Sequence, residues 1–375
     1  MIISLEQILE LHPFIETPAL IVDLQQLEKN IKDMQNLANK NSVKLRPHIK
    51  THKSVIISQL LLKHGAVGLT VAKVGEAEVM AEAGISDIFI ANQIVHPLKL
   101  KRLKKLHETI NISVGIDHID QIGLIEKLFN DSSNPLKVLI EVDCGLHRCG
   151  ILPGKSLVEL ALEINKSKGL VLEGIFTHAG QVYASESKDE IRRIGNLEAS
   201  TMEESAILLR DYGISLNVVS VGSTPTVAYS SKNPLVTEIR PGNFVFYDNI
   251  QFVLETCTEA QWALAVLATV ISQPAEDRIV IDAGSKALNL DKGAHATDQI
   301  NSYGRPLNLK GEIIRLSEEH GVVNLTSKER IRLGSPVLII PNHACAVANL
   351  YSHYHLIDAQ GEIKQIPVDA RGKSQ

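Results

Sequence analysis

Cysteine is scarce: the chain has four in 375 residues, Cys144, Cys149, Cys257 and Cys345, at irregular intervals. A disulfide framework needs a denser and more regular set, so each is expected reduced, serving either packing or chemistry. Aromatic residues make up only 4% of the chain, with a single tryptophan. No run approaches the ~18 consecutive apolar residues of a membrane helix. The opening MIISLEQILELHPF carries glutamates where a secretory signal needs basic residues. Clustered positive charge is missing as well. The formal net charge is -5 and the basic residues are scattered. This argues against nucleic-acid and anionic-membrane partners and leaves small acidic or zwitterionic ligands. A cytoplasmic protein is expected.

What is present is size and rhythm. A chain of 375 residues that is 44% apolar can fill two domains, or one large barrel with an appendage. From about residue 19 to 250, short apolar runs alternate with amphipathic segments, the pattern of parallel strands with crossover helices. ALIVD comes first; its Asp23 stands where a helix cap would, and Leu24, Leu27, Ile31, Met34 and Leu37 recur at helical spacing. Eight further strand candidates follow: KLRPHIK, GLTVA, DIFIA, NISVGID, KVLIEVD, LEGIFTH, NVVSVGS and EIRPGNF. Eight strand and helix units predict an α/β chain with a (β/α)8 TIM barrel over residues 16–257. Beyond residue 258 the runs become β-branched, with hairpin-like turns. They predict a second, mostly antiparallel β domain over 258–375, joined by residues 1–15.

The densest chemistry lies in RPHIKTHK, Arg46 to Lys53. Residues two apart in a strand share a face, so Lys44, Arg46, His48, Lys50 and His52 would line one side, and Leu45, Pro47, Ile49 and Thr51 the other. An ammonium group facing a barrel interior is costly unless it is paired, neutralised or used covalently. Lys50 is the candidate because it shares the polar face and stands at the carboxyl end of the strand, where barrel chemistry occurs. Lys53 is out of phase and Lys44 is at the wrong end.

Two loops have what a phosphate requires. VGSTPT (221–226) follows the seventh strand and offers the hydroxyls of Ser223 and Thr224; RPGN, Arg240 to Asn243, includes Gly242 and accompanies the eighth strand. Glycine lets backbone N–H groups approach an anion, and barrels often bind phosphate at these ends. A functional lysine on the first strand and a phosphate site after the last two together suggest pyridoxal 5'-phosphate (PLP) held on Lys50. EVDCGLHRCG places Arg148 at another strand end, and its Cys144, His147 and Cys149 match no standard zinc spacing. LEGIFTHAGQVY sets Thr177, His178 and Tyr183 near the end of the sixth strand. In PNHACAVANL, His343 and Cys345 alternate with alanines, so in a strand both would project from one face, a ligand pair suited to zinc. A buried cysteine beside a hydrogen-bonded histidine is the alternative.

These motifs, in this order from about residue 15 to 350, resemble the D-threonine aldolase and D-serine dehydratase group, PLP enzymes with the alanine-racemase type of barrel. The resemblance implies that Lys50 is the Schiff-base lysine, and that Ser223, Thr224, Gly242 and Asn243 bind the phosphate. It implies Arg148 near the cofactor's phenolic oxygen and Tyr183 as the tyrosine after the sixth strand, with His343 and Cys345 as ligands of a divalent metal, zinc being expected. Arg240 matches the alanine-racemase pattern, in which an arginine faces the pyridine nitrogen and weakens the ring as an electron sink. Elimination would then lean on the metal. The cysteine of His-x-Cys points to the dehydratase branch, since the aldolases usually present His-x-Asp. The expected activity is therefore loss of water from a D-3-hydroxy amino acid, with Lys50, His178 and Tyr183 as catalytic candidates. Retro-aldol cleavage to glycine and an aldehyde, amino-acid racemisation, and PLP binding without turnover are the alternatives. A homodimer with its site near the subunit interface is expected from the same analogy.

Overall fold

The first strand, β1 (Ala19–Asp23), is buried along its whole length, yet it does not join the strands that follow it. The computed structural model describes residues 5–129, 133–294 and 300–375. It falls into two units: a sheet unit of Met1–Asp33, Thr51–Ile56 and Asn243–Arg371, and a barrel unit of Met34–Lys50, Ile57–Gly242 and Gly372–Gln375. Residues 16–33, 51–56 and 243–257, placed with the barrel from sequence, lie in the sheet unit. Asp23 caps as its position suggested: its Oδ1 accepts the Gln26 N–H at 3.0 Å and starts the helix Leu24–Lys40.

The barrel unit holds β2 (Lys44–Leu45), β3 (Leu69–Val71), β4 (Asp87–Gln93), β5 (Asn111–Ile116), β6 (Leu136–Glu141), β7 (Leu170–Phe176), β8 (Val218–Val221) and β9 (Glu238–Ile239). These are the eight further candidates, and every pairing among them is parallel, in the order β2-β9-β8-β7-β6-β5-β4-β3. The two ends meet. A bridge joins His48 to Thr70, and the carbonyls of Leu45 and Pro47 accept the Val67 and Thr70 N–H groups, both at 2.9 Å. Inside, Phe89, Leu139 and Phe176 form an apolar cluster. Phe89 and Phe176 meet edge to face at 5.0 Å between centroids, a favoured arrangement of ring quadrupoles. Gly115 leaves room for that pair, since a Cβ there would lie 2.7 Å from the Phe176 ring.

RPHIKTHK departs from the strand expected of it. Only Lys44–Leu45 is regular strand, and Lys50 sits in a single 3-10 turn, Ile49–Thr51. Pairing runs past Pro47, with the His48 N–H on the Pro241 carbonyl at 3.0 Å, and stops at the turn, so the alternation that grouped Lys50 with Arg46 does not extend to it. Arg46 is paired, donating from Nε to Glu238 Oε2 at 2.8 Å and from a terminal nitrogen to Asp87.

The sheet unit adds β10 (Leu264–Ala275), β11 (Arg278–Ile281), β12 (Arg305–Pro306), β13 (Gly311–Leu316), β14 (Gly321–Leu325), β15 (Pro336–Ile340), β16 (His353–Ile357) and β17 (Ile363–Pro367). The order β13-β14-β11-β10-β1-β16-β17, with β15 also on β10 and β12 on β15, is antiparallel except between β1 and β16. β1 thus lies between two strands from the far end of the chain. Among the described residues no helix is long and apolar enough to cross a membrane.

Candidate active site

In the barrel unit the candidate residues cluster at the carboxyl ends of β6 to β9. Arg240, buried, donates from Nε to the Ser220 hydroxyl at 2.8 Å and from a terminal nitrogen to the Thr177 carbonyl. Its guanidinium lies over the Phe176 ring at 5.2 Å. Ser220 in turn donates to Glu238 Oε1 at 2.8 Å. Burial lowers the Arg240 pKa, opposed by the nearby carboxylates Glu238, Glu198 and Glu141. The result is a cation fixed by hydrogen bonds rather than left to reorient.

Glu141 ends β6, buried, and accepts from Gln93 Nε2 at 2.5 Å. Burial raises its pKa against that bond and against the charges of Arg148 and Arg240. Arg148 is half exposed, 3.7 Å from Glu141. The EVDCGLHRCG turn is closed by Asp143, which accepts from the Gly145 and His147 N–H groups at 2.9 and 3.1 Å and faces the His147 ring at 2.8 Å. His147 is thereby engaged by a carboxylate. Among the described residues, Asp117, Glu141 and Cys149 bring possible ligand atoms within 4.8 Å of one another, but Asp117 already takes the Gly150 N–H and Glu141 takes Gln93.

His178 follows β7 and places Nδ1 3.0 Å from the Gly222 carbonyl. A carbonyl only accepts, so Nδ1 carries the proton. Tyr183 lies in the short 3-10 helix Gly180–Ala184, partly exposed. In the VGSTPT loop Ser223 and Thr224 are both buried. The Ser223 hydroxyl contacts the Thr226 hydroxyl at 2.9 Å, whereas Thr224 Oγ1 is buried with no hydrogen-bond partner. A buried hydroxyl left unpaired is costly. An anion in this loop would satisfy it, so the loop fits a phosphate. Gly242 is also buried, at the end of the barrel unit.

The sheet unit holds the other group. His343 and Cys345 are not in a strand: β15 ends at Ile340, His343 caps the short helix Ala344–Ala348, and Cys345 lies in its first turn. The alternating alanines favour a helical turn as readily as an extended one. The pair is nevertheless brought together, and Cys345, Asp291 and Asp248 raise the His343 pKa against the lowering effect of burial. His343 Nδ1 is 2.8 Å from Asp291 Oδ2, which leaves Nε2 to serve as a ligand. The Cys345 sulfur lies 3.2 Å from the hydroxyl of Thr51. An imidazole and a thiol, each held by a polar neighbour, is a donor set that fits a divalent metal. Asp248, fully buried, takes the Ala344 N–H at 2.9 Å, the Gln251 N–H at 3.0 Å and the Asn243 amide at 2.6 Å. The Asn243 side-chain amide thus serves Asp248.

Sequence reasoning missed Asp291, Asp248, Thr51 and Glu198. Of these only Glu198 carried a signal. It falls on the buried stripe Ile191, Ile194, Glu198, Met202, Ser205 and Leu209 of the helix Lys188–Asp211, a carboxyl at a position where the period demands an apolar side chain.

Two family models match the chain: alanine racemase, N-terminal domain, over residues 22–249, and putative serine dehydratase domain, over 263–357. Among curated proteins it is 31% identical to a D-threo-3-hydroxyaspartate dehydratase of Delftia sp. (strain HT23), over 93% of this chain and 96% of that one. It is 30% identical to a D-threonine aldolase of Arthrobacter sp, over 96% and 94%, and 30% identical to a D-serine dehydratase of Dictyostelium discoideum, over 93% and 95%. A solved D-threonine aldolase from Filomicrobium marinum superposes with a TM-score of 0.89 at 29% identity, over 96% and 97%. A cysteine-to-alanine variant of a D-threo-3-hydroxyaspartate dehydratase in the metal-free form superposes with a TM-score of 0.88 at 30% identity, over 94% and 97%.

Proposed function

The chain belongs to the D-threonine aldolase and D-serine dehydratase family of fold type III PLP lyases, and from that premise we propose that it removes water from D-3-hydroxy amino acids, giving a 2-oxo acid and ammonia. The observation that carries this choice is Cys345 beside His343. One solved D-threo-3-hydroxyaspartate dehydratase is a cysteine-to-alanine variant in the metal-free form, and a second variant replaces a histidine two positions earlier. That is the spacing of His343 and Cys345.

The VGSTPT loop would hold the phosphate of PLP, Arg240 the ring, and Lys50 the aldehyde carbon; His343 and Cys345 would hold a divalent metal, with zinc the best match to nitrogen and sulfur donors. When bound, PLP delocalises the charge left at Cα and the metal stabilises the departing hydroxide. The protein's own residues do the rest. The Lys50 amine takes the α-proton. The fixed guanidinium of Arg240 presents a cation that needs no reorganisation. Asp291 aims the His343 ring, and Arg148, paired with Glu141, is held at the end of β6. A homodimer belongs to the same reading, on family analogy.

Retro-aldol cleavage is the second reading, favoured by the D-threonine aldolase similarity. A product assay on D-serine, D-threonine and D-3-hydroxyaspartate, with and without chelator, separates the two. Pyruvate from D-serine, lost on chelation, is expected. Glycine from D-threonine without any pyruvate from D-serine overturns the dehydratase reading. Chelator-insensitive interconversion of enantiomers indicates a racemase.

A further inference from the structure

Gly222, in the turn after β8, is held at both ends of its backbone. Its N–H donates to Glu198 Oε1 at 3.0 Å and its carbonyl accepts from His178 Nδ1 at 3.0 Å. Its φ is +148°, and a Cβ there would lie 2.7 Å from the Arg240 backbone nitrogen. The turn is therefore locked against the next strand, with little freedom to choose another shape.

Glu198 reaches this turn from the long helix Lys188–Asp211 and is fully buried. A carboxyl in that position is expensive unless it has a task. Its surroundings narrow the task. The Thr226 and Ser230 hydroxyls lie beside it and favour its charged form; the Thr226 hydroxyl also contacts the Ser223 hydroxyl at 2.9 Å, and the Ser230 hydroxyl donates to the Thr226 carbonyl at 3.2 Å. The second carboxyl oxygen, Oε2, is buried without a hydrogen-bond partner. The backbone partner of Glu198 is the Gly222 amide. Burial raises the Glu198 pKa, opposed by Thr226, the Gly222 N–H, Ser230 and Arg240.

We propose that Glu198 is the positioning residue of the phosphate loop, taking the Gly222 N–H so that the turn is set before the anion arrives and Ser223 and Thr224 are left to serve it. The proposal rests on the PLP reading above. It predicts an effect confined to ligands that carry a phosphate.

The test compares PLP with pyridoxal, which lacks the phosphate, on the full chain stripped of cofactor, following each ligand's visible absorption band. Glu198→Ala is expected to weaken PLP binding about tenfold while moving pyridoxal binding by less than about twofold, since one hydrogen bond to the loop is lost. Glu198→Gln keeps an acceptor for Gly222 and is expected to restore PLP affinity to within about threefold of wild type. Equal weakening of both ligands shows a general structural role and overturns the assignment; so does an unchanged preference for PLP. If Glu198→Ala fails to fold by circular dichroism, Glu198→Asp, which withdraws the carboxyl from Gly222, is read by the same criteria. If the wild-type protein binds neither ligand, or binds pyridoxal as tightly as PLP, the cofactor reading falls and the Glu198 assignment with it.

Discussion

The hydroxyl of Thr51 lies 3.2 Å from the sulfur of Cys345, so the residue that follows Lys50 in the chain is the polar neighbour of a candidate metal ligand. Thr51 is fully buried. A donor aimed at a ligand sulfur draws charge from it and fixes its direction.

Removing that donor at constant volume, Thr51→Val, is therefore expected to lower divalent-metal affinity about tenfold. In the cobalt-substituted protein the sulfur-to-metal band should move to longer wavelength, because the thiolate is left richer in charge. Thr51→Ser should restore both. An unmoved band would detach Thr51 from the metal.

Asp291→Asn tests the other ligand. Asp291 Oδ2 sits 2.8 Å from His343 Nδ1, which fixes the tautomer that offers Nε2. An amide can face that nitrogen with either a donor or an acceptor, so the preference is lost. Metal affinity, measured by chelator competition, should fall about tenfold to hundredfold. No change would mean that the ring is oriented by something else.

His52 gives a pH signature. It is fully buried and its pKa is lowered by burial from 6.5 to about 3. Between those values the unfolded chain binds a proton that the folded one does not, so stability is complete above the unfolded value and falls as the pH drops below it. From about pH 7.5 to about pH 5.5 the wild type should lose about 1.4 kcal/mol more than His52→Gln, by urea unfolding. Parallel pH profiles would show that His52 takes up a proton in the folded state.

Gly222→Ala forces a side chain into a left-handed backbone and against the Arg240 nitrogen at 2.7 Å. The cost should be about 1–3 kcal/mol in unfolding free energy, accompanied by loss of bound cofactor. Retention of both at wild-type levels would mean that the turn can relax away from the next strand.

The barrel strands were legible because each is a short apolar run flanked by an amphipathic helix, as in KVLIEVD, whose segment Leu136–Glu141 is mostly buried. ALIVD looked the same and went elsewhere. A strand buried on both faces has no alternation that could tell which sheet receives it. Lys50 was singled out by a phase argument that the 3-10 turn does not support; the pairing runs past Pro47 to His48 and stops where the turn begins at Ile49. His343 and Cys345 were paired on the assumption of a strand and meet instead at a helix start, where His343 is the extended capping residue and Cys345 lies in the first turn. Asp291 and Thr51 were invisible because they stand 52 and 294 positions from their partners. Contacts at such range are products of the finished fold.

The placement of β1 has a consequence for how the chain is made. It leaves the ribosome before any barrel strand, while its partners β10 and β16 leave after all of them. Throughout that interval an apolar strand has both of its edges open, a template for pairing with another nascent chain. The barrel strands can pair in the meantime, but β1 has to wait for the C-terminal sequence. Slow translation across residues 264–357 should therefore favour aggregation more than a pause of equal length after β16 has emerged.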